Sequence, residues 1–190
     1  MKKNLLLPLL LLLFLLPQSH FAQIERSTAF EQQLQQAQLD FFEPSENSFK
    51  QLPIRKNTVQ TYDFAIQSKR EKVEIRYVIL PAQDQVLDDF PPVNFTAKAS
   101  SVASNEEEEF MVFHAMDEAT LKNTFNADWG ASAFFRPKIG FSNKRHCKMV
   151  GLYSKGKANI YIFYLFNDLS IDIDERFHLV RFLETEQTTN

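Results

Sequence analysis

Apolar and polar side chains alternate in two neighbouring stretches of the chain. Every second position carries a large apolar side chain in residues 62–66 and again in residues 73–79, and the polar residues 68–71 stand between them. Alternation with a period of two predicts strands that bury one face. The short polar interval predicts that the two strands form an antiparallel hairpin.

Four later segments are predicted to be strands: residues 110–116, 131–136, 147–153 and 158–166. A turn at Gly156 joins the last two strands. The last strand is apolar on both of its faces, so we expect both faces of the sheet to be covered there. The first of the four is an apolar run interrupted by one histidine, which predicts a strand in the interior of the sheet.

Apolar residues at helical spacing predict four helices, over residues 28–42, 94–105 and 117–126 and from Asp172 onward. The first has the spacing of a capping box, and Asp117 is the expected N-cap of the third. The resulting order of helices and strands predicts an α+β fold. Its core is a mostly antiparallel sheet of about six strands with helices on both faces, an α/β/α sandwich, preceded by the N-terminal helix.

The N-terminus has the layout of a secretory signal peptide over residues 1–22. Two lysines precede an apolar run from Leu5 to Leu16, and Ala22 is the expected residue before the cleavage site. The run is shorter than the roughly 20 apolar residues that a membrane-spanning helix requires. We therefore predict a protein exported to the periplasm or secreted, with no transmembrane segment in its mature chain.

The remaining chain is predicted to contain an N-terminal helix and linker (23–57), the α+β sandwich domain (58–186) and a disordered tail (187–190). Cleavage would remove two lysines and change the net charge from −3 to −5. An acidic protein of this kind has no general electrostatic attraction for nucleic acid. We therefore expect no nucleic-acid partner.

Glycine and cysteine are scarce, and this scarcity excludes several classes of site. All four glycines lie between Gly130 and Gly156, which leaves neither a glycine-rich phosphate loop nor a dinucleotide-binding fingerprint. The single cysteine, Cys147, and the three histidines beyond the predicted signal peptide do not supply the ligand set of a usual zinc site. We expect no cofactor and no metal.

The element order resembles the PsbP-like fold, which is found in an extrinsic photosystem subunit and in related small binding proteins. The resemblance is carried by the opening hairpin (62–77), the closing hairpin (147–166) and the helix after Asp172. It implies an accessory or docking role rather than catalysis. The N-terminal helix, rich in glutamine, is not a requirement of that fold. Residues 125–131 also resemble a signature segment of exported bacterial proteins, and that resemblance implies no particular activity.

Five residues are candidates for a binding site. Trp129, the only tryptophan, follows Asp128, and its amphipathic ring could anchor an interface or pack over the end of the preceding helix. Arg136 and Lys138 belong to a basic stretch that could dock an acidic partner or form an ordinary polar surface, together with Lys144, Arg145, Lys148, Lys155 and Lys157. His146 stands in the neighbouring cluster Arg145-His146-Cys147-Lys148. We assign no catalytic residue.

Three functions remain open at this point. The first is a non-enzymatic accessory or binding protein of the bacterial cell envelope that docks a protein partner. The second is a carrier of a small apolar ligand, because 17 of the 19 phenylalanines lie beyond Ala22 and could line a cavity. The third is a small hydrolase or thiol enzyme that uses Cys147 and a histidine. Neighbours on a strand point to opposite faces, so we expect Cys147 to be buried and separated from His146.

Overall fold

The computed structural model describes seven stretches of the chain: residues 24–42, 44–45, 47–56, 59–82, 90–106, 110–173 and 177–184. The predicted signal peptide (1–22) and the predicted tail (187–190) lie outside these stretches. Among the described residues, no helix is both long enough and apolar enough to cross a bilayer.

The fold is α+β and is dominated by one antiparallel sheet. Its seven strands lie in the order β2-β3-β4-β8-β7-β6-β5. In chain order these are β2 Phe49–Gln51, β3 Phe64–Ser68, β4 Glu74–Pro81, β5 Val112–Ala115, β6 Trp129–Phe135, β7 His146–Ser154 and β8 Ala158–Phe166. The predicted opening hairpin is β3–β4 and the predicted closing hairpin is β7–β8, and both are confirmed.

The central strand β8 divides the core into two layers. All nine of its residues are buried, as its apolar sequence predicts. Ile160, Ile162 and Tyr164 point into one layer, which also contains helix α1 (Thr28–Gln36). Tyr161 and Phe163 point into the other layer, together with helix α2 (Pro91–Val102). The expectation of helices on both faces of the sheet is therefore confirmed.

Helix α1 begins at Thr28, as predicted, and ends six residues before the predicted end. Ser27 is the N-cap, and its hydroxyl accepts a hydrogen bond from the Phe30 amide at 3.2 Å. After the helix, Gln38 adopts a positive φ of 51° and the chain turns into strand β1 (Leu39–Phe41). The predicted helix to residue 42 and the predicted linker to residue 57 are thus wrong in detail, because strands β1 and β2 occupy part of this region.

The helix predicted after Asp172 is wrong within the described residues. Strand β9 (Val180–Phe182) lies there instead and pairs with β1 in a separate two-stranded sheet. Val180 and Phe182 are buried and Arg181 points outward, so the last residues also satisfy a period of two. Pairing with β1 decides between the two patterns, because tertiary contacts override local propensity.

Strand β5 is an edge strand, which corrects the prediction of an interior strand at residues 110–116. It pairs only with β6 among the described strands, and all four of its residues are exposed. A continuous apolar run does not by itself distinguish a buried strand from an exposed one. The following helix, α3 (Glu118–Thr120), continues as a π-helical turn (121–125), with Asp117 as its N-cap as predicted.

Helix α2 begins at Pro91, three residues before its predicted start. Proline is favoured in the first turn of a helix because its missing N–H has no intrahelical partner there. The predicted inner face is confirmed, since Phe95, Ala99 and Val102 are all buried. Phe95 lies directly over Gly151 of β7, where an added Cβ would stand 2.3 Å from its ring. Glycine at that position lets α2 approach the sheet closely.

Candidate functional site

The five candidate binding residues do not form one cluster. Asp128 and Trp129 lie at the start of β6, whereas Arg136 and Lys138 follow its end. Six residues of strand separate the two ends, a span of about 20 Å. His146 begins β7 beside the end of β6, because its neighbour Cys147 is paired with Phe135. The structure therefore separates Asp128 and Trp129 from the other three.

Asp128 has a structural role at its end of the sheet. Its carboxylate accepts hydrogen bonds from the Lys155 amide at 2.9 Å, the Ser154 hydroxyl at 3.4 Å and the Lys122 ammonium at 3.3 Å. These contacts lower the pKa of Asp128, and the Lys155 amide makes the largest contribution. The carboxylate thus fastens the β7–β8 turn to the start of β6.

Trp129 packs against helix α2 rather than projecting into solvent. Its ring meets that of Phe95 edge to face, with 5.7 Å between the centroids, and the residue is half-buried in the second core layer.

Lys138 also supports α2, because its ammonium donates to the carbonyl of Ser101 at 2.8 Å. A cation at a helix C-terminus satisfies free carbonyls and interacts favourably with the helix dipole.

Arg136 and His146 come together in a groove beside the edge strand β5. This β5 groove has a volume of about 520 Å³ and is lined by aromatic, aliphatic and cationic residues: Phe110, Val112, Phe134, Phe135, Arg136, Arg145 and His146. The His146 ring stacks on Phe134, with 5.7 Å between centroids and 21° between planes. Arg136 forms an exposed ion pair with Glu106 at 3.2 Å.

The backbone of β5 offers hydrogen-bonding groups on its outer side. The Met116 amide, one residue beyond β5, donates to the Gly130 carbonyl, so this residue directs its backbone groups toward β6. Counting back from Met116 by two residues at a time, His114 and Val112 also direct their N–H and C=O groups toward β6. In an antiparallel pair this orientation alternates, so the N–H and C=O groups of Phe113 and Ala115 point outward. No described strand pairs with them.

The apolar surface around this edge was not anticipated from the sequence. Phe110 is 82% exposed, Val112 46% and Phe113 44%. Arg145, which lines the β5 groove, belongs to the predicted basic stretch but not to the five candidate residues. The apolar run at 110–116 predicts a strand but does not show whether that strand is interior or at an edge, because exposure depends on which strands lie beside it.

Cys147 is fully buried and has no disulfide partner. Burial raises the pKa of its thiol far above the ordinary value, and the nearby positive charge of Arg76 opposes this only in part. The expected burial of Cys147 is confirmed. A thiol held protonated and away from solvent lacks the reactive thiolate that a nucleophilic enzyme requires.

Other chemistry-bearing residues of the described chain remain dispersed. No three His, Cys, Asp or Glu side chains in that part of the chain are grouped so that they could hold a metal ion.

Comparison with known protein families found no family model that matches the chain, and comparison with curated proteins found no relative. The resemblance to PsbP-like proteins therefore stays a prediction.

Proposed function

We propose that this protein is an exported, non-enzymatic binding protein of the bacterial cell envelope that docks a protein partner along strand β5. The partner contributes an extended segment that adds a strand to the free edge of the sheet. The observation that carries the proposal is the outer edge of β5, an unpaired strand edge flanked by exposed apolar side chains.

An open sheet always ends in two edge strands, here β2 and β5, and β5 differs from β2 in the exposed apolar side chains beside it. Natural edge strands are commonly protected by charges, prolines or bulges because an open edge invites pairing with another chain. The sequence of β5 is Val-Phe-His-Ala and contains neither lysine nor proline. Its outward backbone groups would bind a partner through main-chain hydrogen bonds, and the neighbouring apolar side chains would select alternate side chains of that partner.

The β5 groove indicates the chemistry of the partner segment. Its aromatic walls suit an apolar side chain, and Arg136 and Arg145 suit a carboxylate at the rim. The matching partner is therefore an extended segment that combines apolar and acidic residues. The mature chain as a whole is expected to be acidic, so this cationic rim would also orient the partner during approach.

The two alternative functions have less support. The buried phenylalanines pack ring against ring, as Phe30 does on Phe64 with 4.3 Å between centroids, and so fill the core layer that a carrier would need to leave open. A thiol enzyme would need an accessible Cys147, and this residue is buried.

Site-specific photo-crosslinking tests the docking proposal. A photoreactive phenylalanine analogue at Phe113 is expected to give one discrete adduct with another protein in cells that make the chain. The same analogue at Ile54, which is 58% exposed and follows strand β2 at the other edge of the sheet, is the matched control. Adducts of equal yield and identity at both positions would contradict the proposal.

Export is a separate part of the proposal and is supported by the sequence pattern of residues 1–22. N-terminal sequencing of the protein recovered from its native cells is expected to begin within a few residues of Gln23. Recovery of the bulk of the protein with Met1 intact in the cytoplasmic fraction would reject export while leaving the β5 docking proposal to its own test.

A further inference from the structure

A second groove lies near strands β2, β3 and β4, toward the edge of the sheet that is farthest from β5. This basic groove has a volume of about 570 Å³, within the range of about 300–1,000 Å³ typical of small-molecule sites. One wall is the segment from Lys50 to Lys56, and the other is the loop from Ile139 to Lys144. Arg76 of β4 lies between the two walls.

Arg76 is an unusual residue for this position because it is charged and only 7% exposed. Its guanidinium lies between the rings of Tyr62 and Phe141, 4.7 Å from each ring centroid. Its Nε donates to the Glu74 carboxylate at 2.7 Å and its Nη1 to the Phe141 carbonyl at 2.6 Å. The ion pair and the two rings hold the guanidinium in one orientation.

Arg76 retains hydrogen-bonding capacity. A guanidinium carries five N–H donors, and the described residues accept from two of them. A buried and immobilised arginine with unused donors is well suited to a planar oxyanion, since little side-chain entropy is lost on binding.

Both walls of the groove are fastened to the residues that hold Arg76. The Arg55 amide donates to the Tyr62 hydroxyl at 3.0 Å, which ties the first wall to one of the two rings. In the second wall, the Phe141 carbonyl binds Arg76 directly, and the Lys144 amide donates to the Ser142 hydroxyl at 3.1 Å. The groove is therefore formed before any ligand binds.

The groove also concentrates positive charge. Among the described residues that line it, four besides Arg76 are cationic and Glu74 is the only carboxylate. None of the four forms an ion pair with a described residue. They are Lys50, Arg55, Lys56 and Lys144. Such a concentration contrasts with the net charge of −3 for the whole chain.

We infer that the basic groove binds a small polyanion, a molecule that carries at least two carboxylate or phosphate groups. One anionic group binds the free donors of Arg76 between the two walls. A second group binds cations at the rim, chiefly the exposed Arg55 and Lys56 and the half-buried Lys144, whose ammonium also donates to the Lys72 carbonyl at 3.3 Å. This site is independent of β5 and of the partner proposed there.

Calorimetric titration of the purified mature chain with citrate and with pyrophosphate tests this inference. We expect saturable one-to-one binding of at least one of the two, with no binding of acetate, which carries a single charge. The probe that binds more tightly distinguishes a polycarboxylate site from a polyphosphate site. Absence of saturable binding by both probes at millimolar concentration would overturn the inference.

A triple variant, Arg55→Gln with Lys56→Gln and Lys144→Gln, tests the location without disturbing the buried Arg76. Loss of three charge-assisted contacts is expected to weaken binding about tenfold or more. The matched control, Arg70→Gln with Lys122→Gln and Lys155→Gln, removes three exposed cations elsewhere and is expected to change binding less than about threefold. Equal weakening by both variants would show attraction to net charge alone and would overturn the site.

The test of polyanion binding and the test of docking at β5 can succeed or fail independently of each other. Backbone amide shifts on adding the bound probe are expected at Phe141, Ser142 and Lys144 and not at Phe113 or Ala115. A failed titration leaves crosslinking at β5 unaffected, and failed crosslinking leaves the titration unaffected. Shifts centred on β5 would contradict the location of the polyanion site.

Discussion

Burial determines the chemistry of individual side chains in this protein. Arg76 and Cys147 lie in the same core layer, where desolvation is strong. For the Arg76 guanidinium, contacts with Glu74, two aromatic rings and a carbonyl replace the water lost on burial. Cys147 has no comparable support, so its neutral form is favoured and its pKa is raised.

The state of Cys147 gives a direct prediction. Ellman's reagent is expected to modify the native protein only as fast as the protein opens, because the thiol is buried and protonated. In concentrated guanidinium chloride the same thiol is expected to react at once, and Cys147→Ser should abolish the signal in both conditions. Native modification as fast as that of free cysteine would contradict the buried thiol and revive the thiol-enzyme alternative.

Asp128 gives a prediction that depends on pH. Its pKa is lowered in the folded protein, so its ionised form stabilises the fold above the unfolded pKa of about 4, and this contribution is lost as the pH falls through the folded value. Asp128→Asn is expected to reduce the free energy of unfolding by about 0.5–1 kcal/mol at pH 7, a modest amount because the carboxylate is partly exposed.

Urea unfolding of Asp128→Asn and of wild type at neutral pH and near pH 3 checks this. The difference between the two proteins is expected to shrink at the acidic pH. Asp40→Asn, an exposed substitution on β1 with the same change in charge, is the control. A difference that stays constant or widens on acidification would show that Asp128 does not act through its carboxylate charge.

At the scale of helices and strands, local periodicity predicts the central hairpins well and the ends of the chain poorly. Strands β3, β4, β7 and β8 were predictable because each alternates or is apolar throughout and each hairpin has a polar turn. Residues 172–184 carry apolar residues that fit both a helix and a short strand. Only the presence of β1 as a pairing partner decides between them, and no local pattern contains that information.

The β1–β9 pair gives a prediction that separates the strand from the helix expected earlier. A helix would bury both Phe182 and Leu183, whereas the strand buries Phe182 and leaves Leu183 41% exposed. Phe182→Ala is expected to cost about 3–5 kcal/mol of unfolding free energy. Leu183→Ala is expected to cost about 1 kcal/mol or less. Denaturant unfolding measures both, and equal large losses would favour the helix.

At the scale of the whole molecule, two surface regions stand out from a well-filled two-layer core. One is the free edge of β5 with its adjoining groove, and the other is the basic groove around Arg76. The sequence drew attention to Arg136 and His146, which do adjoin the first region. It also drew attention to Asp128, Trp129 and Lys138, whose contacts support the fold.

Neither region was predictable in full from the sequence, for a physical reason. The edge position of β5 follows from the order of strands in the sheet, and the basic groove joins residues from 50 to 144 that are distant along the chain. Both depend on long-range pairing. A residue type such as tryptophan or histidine shows what a side chain can do, but the sheet determines which side chains meet.

The most direct test of the central claim is to measure how tightly two variants at Ala115 bind the partner that is captured by crosslinking at Phe113. Ala115→Pro removes one outward N–H without removing a hydrogen bond to β6, and edge strands tolerate proline at such positions. Ala115→Ser keeps the N–H and is the control. We predict that Ala115→Pro weakens binding about tenfold or more while Ala115→Ser leaves it nearly unchanged. Equal affinity of both variants would contradict docking along the β5 edge.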